Sequence, residues 1–220
     1  MLLISYVVNV SRKALLSLPM VACIALSAAL PIAASAEGPS RLSNYLLNGV
    51  AVPGWELALG DETEWYQPQK ENMGLSANKA ISFNQQDNAL HVKWRSKKKE
   101  ASVSFNGPAI NLSQLDDTIA LAIEVNVGTK KLRNPIQLSM SCGYPCRGTV
   151  TLNPLLDVLP RNEWITLPIP LRCFKNTGTD FSKLDSPFGL QTKGKLDISI
   201  RNVRLTKVPE GFDLCKSKTK

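Results

Sequence analysis

The chain has 220 residues, of which 26 are Lys or Arg and 18 are Asp or Glu, so its formal net charge is +8. It contains a single His, which excludes catalytic zinc sites that need several histidines. The length allows one domain with its own hydrophobic core, but it excludes a complete (β/α)8 hydrolase, which needs about 250 residues.

The first predicted element is an export signal. Arg12 and Lys13 precede an uncharged apolar run from Ala14 to Ile32, and the small residues Ala34-Ser35-Ala36 follow. This order is typical of a cleaved secretory signal, so residues 1–36 are predicted to be removed and the product to be secreted or periplasmic. An uncleaved anchor is the alternative, because the run is long enough to span a bilayer. Cleavage leaves 24 basic and 18 acidic residues, a net charge of +6.

The rest of the chain is predicted to form one domain. Residues 37–44 are expected to be a flexible N-terminus, residues 45–215 a folded domain and residues 216–220 a basic tail. No segment after residue 36 is long and apolar enough to cross a bilayer, so no membrane contact is expected after cleavage.

Short strands are predicted throughout the folded domain, because apolar and polar residues alternate. Ile119–Val127 is the clearest example, and Trp94 and Trp164 lie in similar patterns that place them in the core. One short helix is predicted at Asn153–Leu159, with Pro154 in its first turn. The other predicted strands are residues 90–94, 101–105, 136–140, 149–152, 164–167, 188–192 and 196–205. Regularly spaced strands with little helix predict an all-β fold, a two-sheet β-sandwich or jelly roll.

Four cysteines remain after cleavage, and an oxidising compartment favours their pairing. Cys142 and Cys146 flank a predicted turn between two strands, within disulfide reach of each other. That assignment leaves Cys173 to bind Cys215, although four cysteines allow three connectivities. A zinc site is the alternative, but Cys173 and Cys215 are both solitary, whereas such a site needs two close pairs.

Catalytic motifs are not evident. The sequence has no GxSxG or GxxxxGK[ST] motif, and His91 is predicted to lie on the exposed face of a strand. A glycoside hydrolase that uses two carboxylates stays open, because the sequence does not give their separation. The basic run Arg95–Glu100 falls between two strands, where a solvated hairpin tip is expected. It lacks interleaved aromatic residues, so nucleic acid is not a predicted partner.

An aromatic pair marks the candidate binding site. Trp65 and Tyr66 follow a strand that ends near Gly60, in a loop that also carries Asp61 and Glu64. Aromatic faces suit stacking on sugar rings, and nearby carboxylates can accept hydrogen bonds from sugar hydroxyls. These four residues are therefore the predicted carbohydrate-binding site, and the alternative is that Trp65 folds back to cap the core.

Several motifs follow one another in a fixed order along the folded domain: Leu57–Asp61, Val103–Pro108, Asn111–Ser113, Met140–Cys146, Trp164–Phe174, Gly178–Ser182, Ser186–Leu190 and Ile198–Leu205. Their order resembles that of a known family, the ExoP-type galactose-binding-like domain. This domain is the C-terminal module of some bacterial glycoside hydrolase family 3 exo-β-glucanases (1,4-β-D-glucan glucohydrolase-like). The resemblance extends from about Leu46 to Cys215.

The resemblance implies a jelly-roll β-sandwich and a non-catalytic role, because the family's catalytic residues lie in other domains. The expected partner is a polysaccharide or oligosaccharide such as β-glucan. Two alternatives are a glycoside hydrolase or hydrolase-associated subunit, and an envelope protein whose +6 surface binds anionic partners without sugar affinity. Similar sandwiches hold a structural calcium near a carboxylate in the last strand, but this chain has Asn202 there, so no cofactor is expected.

Overall fold

The computed structural model describes residues 44–95, 99–115, 117–212 and Cys215. The predicted signal peptide (1–36), residues 37–43 of the predicted N-terminal segment and the predicted basic tail (216–220) lie outside the described residues. Asn44, which was expected to be flexible, is the first residue of a strand. No helix among the described residues has the length and apolar character needed to cross a membrane.

The described residues form fourteen strands and two short helices. In chain order they are β1 (Asn44–Leu47), β2 (Val50–Ala51), β3 (Glu56–Asp61), β4 (Gln67–Pro68), β5 (Met73–Leu75), β6 (Ile81–Gln86), β7 (Ala89–Trp94), β8 (Ala101–Asn106), β9 (Ile119–Val127), β10 (Ile136–Ser141), β11 (Arg147–Thr151), α1 (Asn153–Leu156), β12 (Trp164–Pro170), α2 (Leu171–Lys175), β13 (Ser186–Thr192) and β14 (Leu196–Lys207).

These strands form two antiparallel sheets. The six-stranded sheet has the order β11-β10-β13-β8-β3-β4. The eight-stranded sheet has the order β12-β9-β14-β7-β6-β5, and β1 and β2 extend it beside β14. The chain passes repeatedly from one sheet to the other, for example from β8 to β9 and then to β10. The predicted all-β, jelly-roll β-sandwich is therefore confirmed.

The core lies between the sheets because inward positions alternate with outward ones. In β8, Val103 and Phe105 are fully buried. Phe105 faces Phe188 of the neighbouring strand β13, and their rings stack with centroids 5.1 Å apart. Each fully buried apolar side chain of this size stabilises the fold by about 1.5–3 kcal/mol relative to an exposed one. The outward residues of β8 are free to form a surface.

Only one of the two helices of the described residues was predicted from the sequence. The predicted helix at Asn153–Leu159 begins as expected but ends at Leu156. The second helix, α2, was not predicted, because its residues follow Pro170 and continue the apolar pattern of β12. It buries Cys173 and Phe174 against the sandwich.

Both predicted disulfides are present. Cys142 and Cys146 are joined across the β10–β11 hairpin, with their Cα atoms 5.1 Å apart. Cys173 in α2 is joined to Cys215, with a Cα–Cα distance of 5.3 Å. The first bond closes a short turn and the second fixes the end of the described chain to the domain.

The two strand tryptophans lie in different environments. Trp94 is buried as predicted, and its indole nitrogen donates a hydrogen bond of 2.8 Å to the carbonyl of Ala101. Trp164 was also predicted in the core, but it is half-buried on the outer face of the eight-stranded sheet. There the guanidinium of Arg201 stacks 4.1 Å above its ring. The prediction for Trp164 was wrong because Trp164 is the register partner of the outward-facing Asn126 of β9 and so lies on the outer face of the sheet.

Candidate functional site

The main candidate site is a groove on the outer face of the six-stranded sheet. Its volume is about 410 Å³, which lies within the usual range for small-ligand sites. The residues that line the groove come from β8, β10, β11, β13 and two loops. They are Trp65, Ser102, Ser104, Asn106, Ser139, Ser141, Tyr144, Arg147, Ser186, Gly189 and Gln191. Most of these residues are small and polar, and none is acidic.

The floor of the groove is low because its strands present small residues. Ser104 of β8 and Gly189 of β13 are register partners, as are Gly189 and Ser139 of β10. A methyl group on Gly189 would come within 2.6 Å of the Ser139 hydroxyl, so a larger residue there would displace a neighbour. The Asn106 amide also donates a 2.8 Å hydrogen bond to the Ser104 hydroxyl. The floor is thus a row of hydroxyl and amide groups.

Two exposed aromatic residues border this floor. Trp65 is 52% exposed, which shows that it does not cap the core. Tyr144 is fully exposed at the tip of the hairpin that Cys142 and Cys146 close. The strands next to the two aromatics, β3 and β10, are three strand spacings apart, or about 14 Å. The groove therefore offers two separate stacking surfaces with hydrogen-bonding groups between them.

Asp61 holds the Trp65 loop from inside. Its side chain is completely buried, and its Oδ1 accepts backbone hydrogen bonds from Thr63 (2.8 Å) and Glu64 (3.1 Å). Its Oδ2 accepts a third, of 2.8 Å, from the backbone of Asn78. Asp61 was expected to meet the ligand beside the aromatics, and this expectation was wrong because the carboxylate is buried and already bonded. It positions the loop that carries Trp65.

The same contacts determine the charge state of Asp61. Burial disfavours the ionised form, but hydrogen bonds from Asn78, Ser76, Thr63 and Glu64 outweigh it and lower the pKa of Asp61 below its ordinary value. The buried carboxylate is therefore ionised at neutral pH, and its negative charge is stabilised by the loop.

Tyr66 and Glu64 lie beside the groove. Tyr66 is 49% exposed, and its hydroxyl donates a 2.8 Å hydrogen bond to Glu56, which raises the pKa of Tyr66. Tyr66 lines a second depression of about 600 Å³, which we call the adjoining hollow because it shares Asn106 with the groove; the other residues of this hollow are Gly54, Trp55, Glu56, Gly107 and Asp185. Glu64 is exposed, but it is not among the described residues that line either depression.

Sequence reasoning found Trp65 and Tyr66 but missed most of the groove. The outward serines of β8 and β10 carry a weak signal, because polar residues alternate with the core residues in any half-buried strand. The signal for Tyr144 was clearer, since an aromatic residue among the three residues between two bonded cysteines cannot reach the core. Its proximity to Trp65 depends on strand order, which the sequence does not state.

The calcium site implied by similar sandwiches does not fit this chain. The amide of Asn202 donates a 2.6 Å hydrogen bond to Glu124, and its oxygen accepts one of 3.0 Å from the backbone of Asn48. The guanidinium of Arg201 lies 3.2 Å from the other oxygen of Glu124. The carboxylate of Glu124 is thus paired with Arg201 and bonded to Asn202, and the amide oxygen of Asn202 already accepts a hydrogen bond. These oxygens are the ligands that a calcium ion would need. Within the described part of the chain, no three His, Cys, Asp or Glu side chains are grouped as a metal site requires.

His91 has a structural contact. It faces away from the core as predicted, but it is half-buried, and its Nδ1 lies 2.7 Å from the hydroxyl of Ser199 on the adjacent strand β14. The residue is remote in the fold from the groove, because β7 belongs to the eight-stranded sheet.

The fold and the groove together define a β-sandwich with a polar, aromatic-bordered depression on one sheet. The family model described as galactose-binding domain-like (Exop_C) matches residues 54–205 of this chain. The chain belongs to this family, as the resemblance noted from the sequence predicted. A search of curated proteins found no significant match.

Solved structures give the same fold. The extra C-terminal domain (X) of the exo-1,3/1,4-β-glucanase ExoP from a Pseudoalteromonas species is 16% identical, with a TM-score of 0.63, over 80% of this chain and 99% of that domain. A family 30 carbohydrate-binding module from a cellulosomal cellulase of Clostridium thermocellum is 11% identical, with a TM-score of 0.54, over 78% of this chain and 98% of the module. At these identities the similarity establishes the fold.

The match to the whole ExoP enzyme is partial. It covers 83% of this chain but 22% of the enzyme, with 16% identity and a TM-score of 0.63. The chain therefore spans about a fifth of the enzyme and corresponds to its extra C-terminal domain.

Proposed function

We propose that this protein is a non-catalytic carbohydrate-binding module that holds a polysaccharide chain in the groove. The observation that carries the proposal is the pairing of two exposed aromatic residues, Trp65 and Tyr144, with a floor of serine hydroxyls between them. Sugar rings present apolar C–H faces and polar edges, so stacking and hydroxyl hydrogen bonds are complementary to them.

The ligand class that we propose is β-glucan or a related polysaccharide. The support is the similarity to the extra domain of an exo-1,3/1,4-β-glucanase and to a cellulase-associated carbohydrate-binding module. The strands next to the two aromatic residues, β3 and β10, are about 14 Å apart, which favours a ligand of several sugar units over a monosaccharide.

The alternative of a glycoside hydrolase receives less support from the groove. Such enzymes place two carboxyl groups about 5–10 Å apart across the scissile bond. The described residues that line the groove include no carboxylate at all. Binding without cleavage is therefore the function that this site supports best.

We also retain the proposal that the protein is exported. Its two disulfides are compatible with an oxidising compartment. The signal peptide on which the more specific prediction of a secreted or periplasmic protein depends lies outside the described residues.

The test is affinity electrophoresis of the disulfide-bonded protein in gels that contain a soluble mixed-linkage β-glucan. Trp65→Ala and Tyr144→Ala should each reduce retardation at least about fivefold, because each removes one stacking surface worth about 1 kcal/mol or more. The melting temperature should change little, since both side chains are exposed. Glucan hydrolysis, measured by released reducing sugar, should be absent.

Met73→Ala is the matched control, because Met73 is similarly exposed but lies on the eight-stranded sheet. It should leave retardation unchanged. Equal losses in all three variants, or no retardation of the unmodified protein by any β-glucan, would contradict the proposal.

A further inference from the structure

Arg147 is the charged side chain of the groove. It is the first residue of β11, opposite Ser141 of β10 and directly after the disulfide-bonded Cys146. The next residue, Gly148, is packed so closely against the backbone of α2 at Phe174 that a side chain there would clash. The backbone under Arg147 is thus held on both sides, while its side chain is exposed.

The guanidinium of Arg147 is not neutralised within the described part of the chain. None of the ion pairs and hydrogen bonds seen there engages it, in contrast to Arg201, which pairs with Glu124 and stacks on Trp164. The carboxylates of Glu56 and Asp185 line the adjoining hollow. Asp185 also reaches the Tyr144 hairpin, where its Oδ2 lies 3.7 Å from the position that a Cβ on Gly143 would take. Tyr66 already donates a hydrogen bond to Glu56.

The other residues that line the groove are uncharged, so Arg147 carries the one formal charge among the described lining residues. A guanidinium presents its donors as a planar fork that matches carboxylate and sulfate oxygens, and such charge-assisted pairs are stronger than hydrogen bonds to neutral hydroxyls. A neutral sugar would leave this charge unmatched.

We propose that the groove recognises polysaccharide chains that carry carboxylate or sulfate groups, and that Arg147 binds the anionic substituent. The inference rests on the proposed function, since it names the ligand class of the same groove. Trp65 and Tyr144 then supply stacking on the sugar rings, and Arg147 supplies selectivity for charge.

A second positive region could attract anionic chains without selectivity. The loops after β9 and β13 lie side by side at the end of the sheet opposite the Tyr144 hairpin, as the pairing of Ile136 with Thr192 shows. The loop after β9 contains Lys130, Lys131 and Arg133. Strand β10 separates this loop from the Tyr144 hairpin, over about 17 Å, so its contribution can be tested independently.

The experiment compares three forms of one β-1,3-glucan, namely neutral, carboxymethylated and sulfated, at neutral pH and low salt. Isothermal titration with the unmodified protein should give an affinity at least about threefold higher for one or both anionic forms, and added salt should reduce this preference. The form that binds more tightly identifies the substituent as carboxylate or sulfate.

Arg147→Gln should abolish the preference, so that the three glucans bind with affinities within about twofold of one another. The triple variant Lys130→Gln, Lys131→Gln and Arg133→Gln is the control for non-selective attraction and should keep the preference. The proposal is overturned if the preference survives in Arg147→Gln, if the triple variant loses it, or if the unmodified protein does not distinguish the three glucans.

Trp65→Ala separates this proposal from the proposed function. If Trp65→Ala weakens binding of all three glucans while the unmodified protein shows no preference, the binding function stands and the selectivity proposal fails. If Trp65→Ala changes nothing, or no glucan binds, the groove is not the binding site and both proposals fail.

Discussion

Asp61 is the last residue of strand β3, and its side chain holds the loop that follows. Its carboxylate accepts backbone hydrogen bonds from Thr63, Glu64 and Asn78, so three donors of an irregular segment are satisfied by one buried group. Trp65 follows directly and its carbonyl lies over Gly60, where a side chain would not fit. The position of the exposed Trp65 thus depends on a buried carboxylate.

Replacing this carboxylate should destabilise the protein in a pH-dependent way. The folded-state pKa of Asp61 lies below its ordinary value of 3.8, so the ionised form stabilises the fold above that pH and the contribution is lost as pH falls through the folded-state pKa. Asp61→Asn should lower the free energy of unfolding by about 1–3 kcal/mol at neutral pH, because its amide NH2 replaces one acceptor oxygen and leaves at least one backbone donor unpaired. Denaturant unfolding at a series of pH values measures it, and the difference from the unmodified protein should shrink towards low pH.

Glu64→Gln is the control, because Glu64 is exposed on the same loop. It should leave stability nearly unchanged at every pH. An Asp61→Asn variant as stable as the unmodified protein would show that the loop does not need this charge.

At the scale of elements, the alternating strands and the β10–β11 hairpin were predictable because their signals are local. The pattern of β9 and the spacing of Cys142 and Cys146 need only neighbouring residues. Helix α2 was not predictable, because its five residues are helical by packing against the sandwich and show no helical sequence pattern of their own. The groove was also missed, because it depends on β3, β8, β13 and β10 lying side by side although they are distant in the chain.

The two disulfides should contribute unequally to stability. Residues Cys142 and Cys146 are separated by 4 positions and Cys173 and Cys215 by 42, so the chain-entropy model assigns them about 2 and about 4 kcal/mol. We expect the double variant Cys173→Ser and Cys215→Ser to unfold at a lower denaturant concentration than Cys142→Ser and Cys146→Ser. Double variants avoid unpaired thiols, and the reverse order of midpoints would contradict the expectation.

At the scale of the whole molecule, both sheets contribute to one hydrophobic core. Side chains from β7, β9 and β14 on one side meet those from β3, β8, β10 and β13 on the other. On the outside of the eight-stranded sheet, Arg201, Glu124 and Asn202 form a network of hydrogen bonds and an ion pair. This network lies at the position that corresponds to the calcium site of similar sandwiches. The fold is thus held by packing, side-chain hydrogen bonds and disulfides.

Thermal unfolding should accordingly be a single transition that does not depend on calcium. A chelator should leave the melting temperature unchanged, because the groups around Asn202 are already bonded to one another. Differential scanning calorimetry with chelator and with added calcium measures this. A clear drop in the chelated sample, restored by calcium, would reveal a cation site elsewhere.

The backbone restraint of the hairpin that carries Tyr144 affects the entropic cost of the proposed sugar binding. Its backbone is closed by the Cys142–Cys146 bond and by a 2.9 Å hydrogen bond from the amide of Cys142 to the carbonyl of Cys146. An aromatic residue on an unrestrained loop would lose backbone conformational entropy on binding a sugar chain, at a cost of about 1–2 kcal/mol for each residue ordered. Here that backbone freedom is already lost when the protein folds, so the proposed binding of a sugar chain would not carry this entropic cost again.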